Sequence, residues 1–357
     1  MTRTMVAMSG GVDSTVAALL LLEQGHACAG AHLKLFDADG SSARENACCS
    51  LSDAEDARAA ACRLGIPFYV LNFKERFQQG VVRRFAEGYL RGETPNPCVD
   101  CNKYIKFGAL LARAVTLGYD SIATGHYARR EYANGRWLLR RGVDPGKDQS
   151  YVLYMLTQEQ LARTCFPLGD YTKERVRQLA AERGFLNARK RDSQDLCFVP
   201  GGDYGAFLER YTGQPLRPGD FVSPAGQALG RHRGTPCYTL GQRKGLGLAL
   251  PRPGYVTAID PAANTVTVGE EALLLRRECT VRNLNLIACE ALASPLRCHV
   301  KVRYRQAAQR ALAEQVDACT LRVVFDEPQR AITPGQAAVL YGGDYVVGGG
   351  TIGEAGA

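Results

Sequence analysis

The N-terminal part of the chain contains a glycine-rich stretch whose residue types suit phosphate binding. Residues 9–14 read Ser-Gly-Gly-Val-Asp-Ser and lie between two apolar runs, Met5–Met8 and Val16–Leu22. Consecutive glycines let the backbone turn tightly, and a helix N-terminus presents unpaired N–H groups and a partial positive charge. A strand that leads through such a turn into a helix therefore predicts a phosphate site. The serine hydroxyls can donate to phosphate oxygens, whereas Asp13 would repel them unless it holds Mg²⁺ or orients a partner.

Three cysteines lie in polar segments whose surroundings favour the thiolate. Residues 94–107 read Thr-Pro-Asn-Pro-Cys-Val-Asp-Cys-Asn-Lys-Tyr-Ile-Lys-Phe, so prolines and then lysines flank Cys98 and Cys101. Cys197 follows the basic pair Lys190-Arg191. A single cysteine is most often a buried apolar residue. Here three cysteines lie beside prolines, basic residues or a predicted helix N-terminus. These surroundings favour the thiolate and therefore indicate reactive thiols.

The segments that must position these residues alternate between strand-like and helix-like patterns. Strands are predicted at 5–8, 27–36, 67–73 and 120–124, and helices after residue 14, at 52–64 and at 107–117. Ser52 and Glu55 predict a capping box at the start of the second helix. The alternation predicts an α/β fold with a doubly wound parallel sheet, whose ligands bind at the carboxyl ends of the strands. Residues 9–14 and Gly125-His126 both follow strands.

The second half of the chain has the pattern of two small β-rich domains. Short apolar or alternating runs between glycines and prolines predict strands at 255–259, 265–268, 299–304, 321–325, 337–340 and 345–347. We expect a nucleotide-binding and catalytic domain at 1–202, a central β-domain at 203–272 and a C-terminal β-barrel-like domain at 273–357. Residues 221–259 contain five basic and no acidic residues, which indicates a solvated face or a contact with a phosphate backbone.

Length, composition and charge restrict the class of protein. A chain of 357 residues with 46% hydrophobic and 22% charged residues is typical of a globular protein with two or three domains. It has no run of about twenty apolar residues and no secretion signal pattern, so we expect a cytoplasmic protein with no membrane span. In that compartment the thirteen cysteines do not predict a disulfide framework. A formal net charge of +8 is consistent with a polyanionic partner.

The motifs, taken in order, resemble those of the tRNA-specific 2-thiouridylase family. Besides 9–14 and 94–107, the resemblance rests on residues 48–58, 125–129, 147–151, 192–198, 241–247, 302–305 and 333–337. The first motif also resembles the pyrophosphatase loop of enzymes that cleave ATP between its α and β phosphates. The resemblance implies ATP-dependent 2-thiolation of the wobble uridine, position 34, of tRNA. Adenylation of the C2 oxygen and sulfur transfer from a cysteine persulfide would then give 2-thiouridine, AMP and pyrophosphate.

The resemblance also implies a role for particular residues. The catalytic residues would be Asp13, Cys101 and Cys197, with the persulfide on Cys197 and Cys101 as its partner. A sulfur relay protein would supply the persulfide, and the cofactors would be ATP and Mg²⁺. The ATP site would comprise Ala7, Met8, Ser9, Gly10, Gly11, Val12, Asp13, Ser14, Leu33 and Gly125. The tRNA contacts would be Asn96, Pro97, Cys98, His126, Lys147, Asp148, Gln149, Arg303, Tyr304 and Gln336.

One departure from the family leaves the route of the sulfur open. Many members have an aspartate, assigned to proton transfer, where this chain has Cys98. Cys98, Cys101 and Cys197 form a set of soft ligands that could also hold an iron–sulfur cluster and deliver sulfur through it. Two other classes compete with a sulfurtransferase. A ligase of the argininosuccinate-synthase sort needs no cysteines, and a non-catalytic tRNA-binding protein has no reason to keep Asp13 with two thiols.

Overall fold

The computed structural model describes residues 1–36, 51–190 and 196–355. Residues 48–50 of the motif at 48–58, which include Cys48 and Cys49, and residues 192–195 of the motif at 192–198 lie outside these ranges. The helices in chain order are α1 (Val12–Glu23), α2 (Leu51–Arg63), α3 (Lys74–Phe77), α4 (Arg83–Leu90), α5 (Pro97–Asp100), α6 (Leu111–Thr116), α7 (Gln158–Ala162), α8 (Lys173–Glu182) and α9 (Tyr204–Thr212). Two π-helical segments, Gln78–Val82 and Cys101–Leu110, connect α3 to α4 and α5 to α6.

The strands fall into a first group in the N-terminal half and a second group in the C-terminal half. The first group is β1 (Arg3–Ala7), β2 (Ala27–Lys34), β3 (Phe68–Asn72), β4 (Ser121–Ala123), β5 (Ala128–Ala133), β6 (Arg136–Arg141) and β7 (Thr164–Cys165). The second group is β8 (Gly219–Val222), β9 (Ala228–His232), β10 (Tyr255–Asp260), β11 (Thr265–Gly269), β12 (Leu275–Leu286), β13 (Leu296–Lys301), β14 (Gln309–Asp317), β15 (Thr320–Arg330), β16 (Ala337–Gly342) and β17 (Tyr345–Ala355).

The chain divides into two compact units. The first comprises Met1–Val82, Pro97–Gly201 and Asp344–Gly348. The second comprises Arg83–Asn96, Gly202–Gly343 and Gly349–Ala357. Each unit therefore contains a segment that is distant in sequence from the rest of it.

A parallel sheet organises the first unit. Its strand order is β3-β2-β1-β4-β7, and all of the paired neighbours run parallel. The central strand β1 is buried over Thr4–Val6, and its residues Met5 and Val6 are fully buried. Because parallel strands end at one edge, the segments that follow β1, β2 and β4 meet there. This arrangement of a parallel sheet with helices confirms the predicted fold class.

Helix α1 is buried over Val12 and Ser14–Leu21, where the rest of this unit encloses it. One side packs with α8, where Val16 and Leu20 meet Val176 and Ala180. The other side packs with β1, β2 and α2 in a second apolar cluster. Full burial of each large aliphatic side chain stabilises the fold by about 1.5–3 kcal/mol, so this packing holds the start of α1 in place.

Asn134-Gly135, a residue pair that favours a two-residue hairpin turn, forms one between β5 and β6. Strands β5 and β6 pair in antiparallel register, and the two turn residues have φ angles of 52° and 77°. Positive φ at both positions is the geometry that Asn-Gly favours in a two-residue turn. The predicted capping box is wrong, because Ser52 lies inside α2 and does not precede it.

The second unit contains the two β-rich parts predicted from sequence, except for the first residues of β17, which belong to the first unit. One is a sheet with strand order β10-β11-β8-β9. The other is an antiparallel barrel of β12-β15-β14-β13-β16-β17, closed by pairing of β17 with β12. In β15 the inward residues Leu321, Val323 and Phe325 alternate with less buried ones, as a barrel strand requires. The strand predicted at 299–304 is displaced towards the N-terminus, because β13 ends at Lys301. In the described ranges no helix is long and apolar enough to span a membrane.

Candidate functional site

Residues 9–14 form a compact loop at the carboxyl end of β1. The backbone N–H of Ser9 donates to the hydroxyl of Ser14 over 3.2 Å, and that hydroxyl donates to the carbonyl of Gly11 over 3.0 Å. Gly11 is the N-cap of α1, and none of the described side chains caps the helix there. The first-turn N–H groups of α1 thus point towards the loop without a side-chain acceptor at the cap. We call residues 9–14 the phosphate loop.

Two glycines allow other segments to approach the phosphate loop closely. Gly10 has a φ of 78°, and a Cβ atom there would lie 3.0 Å from the carbonyl carbon of Asp53 and closer still to its oxygen. A Cβ atom on Gly125 would lie 2.9 Å from the carbonyl carbon of Asp13 and 3.0 Å from the backbone nitrogen of Ser14. Both positions therefore require glycine, for a turn in one case and for close approach in the other.

The carboxylate of Asp13 is bound by a lysine and a tyrosine. Lys173 Nζ lies 2.7 Å from Oδ1 and 2.8 Å from Oδ2 of Asp13. The hydroxyl of Tyr127 donates to Oδ1 over 2.8 Å. Lys173 is buried, whereas the side chain of Asp13 remains 31% exposed. The acidic residue of the phosphate loop therefore has a buried cation on one side and open space on another.

A buried asparagine links the phosphate loop to the segment that precedes Cys197. Asn187 Nδ2 donates to the carbonyl of Gly10 over 3.1 Å and to the hydroxyl of Thr15 over 2.9 Å. Three residues later, Lys190 Nζ lies 2.6 Å from carboxylate oxygens of both Asp53 and Asp56 on α2. This segment is thus held both to the loop and to the helix whose backbone abuts Gly10.

The residues predicted to bind ATP lie at one edge of the sheet. Ala7 and Met8 lead into the phosphate loop, and the Met8 carbonyl lies 3.1 Å from Nδ1 of the buried His32. Leu33 is half-buried near the carboxyl end of β2, next to β1, and Gly125 packs on the loop itself. The structure therefore brings these predicted residues together.

Two of the residues predicted to bind tRNA at 147–149 have side chains engaged in local contacts. Asp148 accepts hydrogen bonds from the backbone of Gly142 and from the backbone and hydroxyl of Ser150. The side chain of Gln149 accepts from the Tyr127 backbone N–H over 3.0 Å, so this segment connects to Asp13 through Tyr127. Lys147 directly precedes Asp148 and is half-buried.

His126 lies below the surface of the site and is 7% exposed. Its ring packs against Phe107 and Phe166, and Nδ1 lies 2.7 Å from the hydroxyl of Thr124. Burial, together with the charge of Lys106, lowers the pKa of His126 well below its ordinary 6.5. The imidazole is therefore neutral at physiological pH.

Cys101 and Cys197 lie on two segments of the first unit that both contact helix α3. Pro97 is buried, Cys98 is exposed on α5, and Cys101 is half-buried at the start of a π-helical segment. That segment packs against α3, whose buried Phe77 also contacts Phe198 with ring centroids 5.6 Å apart. Cys197, the residue before Phe198, is half-buried. The predicted approach of Cys197 to Cys101 within disulfide range stays a prediction.

The remaining residues predicted to bind tRNA lie in the second unit. Arg303 Nη2 donates to the carbonyls of Leu240 and Ala331 and to the hydroxyl of Thr333, so its guanidinium connects loops of this unit. Tyr304 is exposed.

Gln336 and Asn96 also belong to the second unit. Gln336 Nε2 donates to the Thr94 carbonyl over 2.6 Å, and the Thr94 N–H donates to the Pro334 carbonyl over 2.9 Å. These bonds anchor the segment that ends at the half-buried Asn96.

Sequence reasoning missed Lys173 and Asn187 and gave Tyr127 no role. Tyr127 lies in the motif at 125–129, directly after Gly125 and His126, so its position in the sequence was a signal for a role in the site. Lys173 is 160 residues from its partner Asp13, and Asn187 is 177 residues from Gly10. No local pattern signals either contact.

Three family models match the chain in succession. They are described as a tRNA methyl transferase HUP domain at residues 2–201, a tRNA methyl transferase PRC-barrel domain at 205–270 and an aminomethyltransferase β-barrel domain at 276–352.

Curated proteins match over almost the whole chain. The tRNA-specific 2-thiouridylase MnmA of Moorella thermoacetica is 53% identical over 351 residues, which is 98% of each chain. The protein of the same name from Carboxydothermus hydrogenoformans is 49% identical over 98% of this chain and 97% of its own. That of Clostridioides difficile is 46% identical over 98% of both. Identity of this order across the full length shows that the chain belongs to the tRNA-specific 2-thiouridylase family.

Proposed function

We propose that this protein is a tRNA-uridine 2-sulfurtransferase. It uses ATP to convert the wobble uridine, position 34, of tRNA to 2-thiouridine, and it releases AMP and pyrophosphate. The observation that carries the proposal is that one compact unit contains the phosphate loop, Cys101 and Cys197 in a chain of this family. An ATP-dependent ligase would need the loop alone, and a tRNA-binding protein would need neither the loop nor the thiols.

The phosphate loop fits a nucleoside triphosphate. Gly10 supplies the tight turn with a φ of 78°, and none of the described side chains caps the N-terminus of α1 at Gly11. Asn187 is nearly fully buried, and its Oδ1 has no hydrogen-bond partner among the residues described, so it can accept from a donor group of the nucleotide. Anions bind readily at such helix N-termini.

Chemistry at uridine C2 needs both activation and a soft nucleophile. The C2 carbonyl is a poor electrophile, so its oxygen first attacks the α-phosphorus of ATP, and pyrophosphate leaves. The terminal sulfur of a persulfide on Cys197 then attacks C2, and the C2–O bond breaks as AMP leaves. The thiolate of Cys101 attacks Sγ of Cys197, which forms a Cys101–Cys197 disulfide and leaves the sulfur on C2. An external thiol restores both cysteines before the next turnover.

The proposal also assigns a sulfur donor, a cellular compartment and a tRNA-binding role to the C-terminal domains. A persulfide-donating relay protein in the cytoplasm would load Cys197, and the predicted domains at 203–272 and 273–357 would hold the tRNA through its backbone. The predicted tRNA contacts Lys147, Tyr304 and Asn96 belong to the same proposal, and the side chain of Tyr304 is exposed.

Neither a magnesium site nor a cluster site is favoured by the arrangement of side chains. Both carboxylate oxygens of Asp13 lie within hydrogen-bond distance of Lys173, so Asp13 does not fit as a metal ligand in this conformation. Across residues 1–36, 51–190 and 196–355, no three His, Cys, Asp or Glu residues form a group that could hold a metal ion. We therefore propose the persulfide route and derive no step through a metal.

The test combines AMP formation with tRNA thiolation, read as retardation of tRNA in a mercury-containing gel. Wild-type protein should form AMP only when tRNA and ATP are both present. Cys197→Ser and Cys101→Ser should fold normally and lose thiolation. Cys319→Ser is the matched control, because Cys319 is an exposed thiol in the second unit. Thiolation by Cys197→Ser at the wild-type rate would contradict the proposal.

A further inference from the structure

The phosphate loop contains an acidic residue where an anionic ligand is expected. A triphosphate carries up to four negative charges, and a carboxylate in the loop would repel it. The structure shows what offsets that charge. Lys173 reaches Asp13 from α8, and its ammonium group lies 2.7 and 2.8 Å from the two carboxylate oxygens.

Lys173 is fixed in this position by several contacts. It is the first residue of α8, and its backbone N–H donates to Asp144 Oδ2 over 3.0 Å. Its side chain is 10% exposed, and the ammonium lies 5.9 Å from the centroid of the Tyr127 ring. A buried ammonium group is stable only when it is paired, and Asp13 supplies the carboxylate.

A second pair shows that α1 and α8 run side by side in the same direction. Arg183, the C-cap of α8, contacts Glu23 at the end of α1, and both side chains are exposed. Lys173 and Asp13 lie at the starts of these helices, so both helix N-termini face the phosphate loop. The Arg183–Glu23 pair connects the same two helices but lies away from the phosphate loop. Removing it therefore shows whether a link between the helices, without a charge at the loop, affects ATP binding.

We propose that Lys173 is the counter-ion of the phosphate loop. It neutralises Asp13, so that the loop presents N–H groups and hydroxyls to the triphosphate without a net negative charge. Lys173 thereby acts through Asp13 as a positioning residue for ATP. The inference rests on the proposed function only in taking ATP as the ligand.

The experiment measures ATP affinity directly by titration calorimetry, with and without EDTA, on full-length variants. Lys173→Met should weaken ATP binding at least 10-fold, because Asp13 then faces the triphosphate uncompensated. Asp13→Asn together with Lys173→Met removes both charges at nearly unchanged volume and should restore affinity to within about 3-fold of wild type. Arg183→Met removes the distant pair of the same helices and should bind ATP as wild type does.

The outcomes distinguish the inference from the function on which it rests. Wild-type protein that binds no ATP would remove both. Wild-type binding with unchanged affinity of Lys173→Met would remove the inference alone. A double variant that is folded but binds as weakly as Lys173→Met would also overturn it, because the loss would then come from a direct contact of Lys173 with the nucleotide. Since the double variant buries no unpaired charge, a folding defect of Lys173→Met leaves the comparison of the double variant with wild type intact.

Discussion

Replacing Gly10 with alanine tests whether the phosphate loop depends on a backbone shape that only glycine allows. Gly10 has a φ of 78°, and its Cα faces the backbone of Asp53 at the start of α2. A Cβ atom would lie 3.0 Å from both the carbonyl carbon and the Cα of Asp53. These are backbone atoms, so rotation of a side chain cannot relieve the contact.

The expected cost is the sum of two separate effects. An L-residue in the left-handed region costs about 1–2 kcal/mol, and forced overpacking costs about 1–3 kcal/mol more. Gly10→Ala should therefore lower the free energy of unfolding by about 2–5 kcal/mol. That is less than the stability of most domains, about 5–15 kcal/mol, so the variant should fold.

Two matched variants isolate the two effects. Gly25 has a φ of 83°, and none of the described atoms lies within 4 Å of the position that a Cβ atom would take, so Gly25→Ala should cost only the conformational part. Gly125 has no positive φ but would place a Cβ atom 2.9 Å from the Asp13 backbone, so Gly125→Ala should cost only the contact part. Urea unfolding measures all three stabilities, and ATP titration measures the loss of binding at Gly10 and Gly125.

The relative stabilities of the three variants show whether the two effects add at Gly10. Gly10→Ala should be the most destabilised, by roughly the sum of the other two. A Gly10→Ala variant no less stable than Gly25→Ala would refute the close approach of Asp53. Unchanged ATP affinity in Gly10→Ala and Gly125→Ala would place the nucleotide elsewhere.

Three further predictions concern residues around this site. Lys147→Ala should reduce the slope of log Kd for tRNA against log salt concentration by about 1 and leave ATP affinity unchanged, and an unaltered slope would place Lys147 off the tRNA surface. Because the pKa of His126 lies well below 6.5, the unfolded chain takes up a proton that the folded chain does not as pH falls below about 6.5. Stability should therefore fall with pH in that range, and His126→Gln should lose part of this dependence in urea titrations at pH 5 to 7; identical profiles would contradict the cause given. Cys98 is exposed on α5, so Cys98→Asp should keep thiolation in iron-free preparations. If Cys98→Asp instead loses both the thiolation activity and iron that the wild-type protein binds, the cluster route would be supported.

Local sequence was enough to predict the phosphate loop and the fold class. An apolar strand, two glycines and an apolar helix are neighbours in the chain, and the conformation of each depends mainly on its own residues. The same holds for the Asn134-Gly135 hairpin and for the short strands of the second half. The order of the motifs then indicated the family.

The helix that carries the cysteines was predicted only in part. Sequence reasoning placed its start at Phe107, whereas helical structure begins at Pro97. Proline is acceptable at a first helical position, so the two prolines did not exclude an earlier start. The buried Asn102 donates to the Val152 carbonyl over 2.9 Å, a contact fifty residues away that holds this part of the helix.

Only the tertiary structure decided which groups surround Asp13. The sequence indicated that this carboxylate would repel phosphate unless it holds Mg²⁺ or orients a partner. The partner is Lys173, from a helix 160 residues later, together with the Tyr127 hydroxyl. A charge interaction of this kind depends on the separation of two atoms in space, and no spacing along the chain determines it. The parallel packing of α1 and α8 brings the two side chains together, and that packing is a property of the folded core.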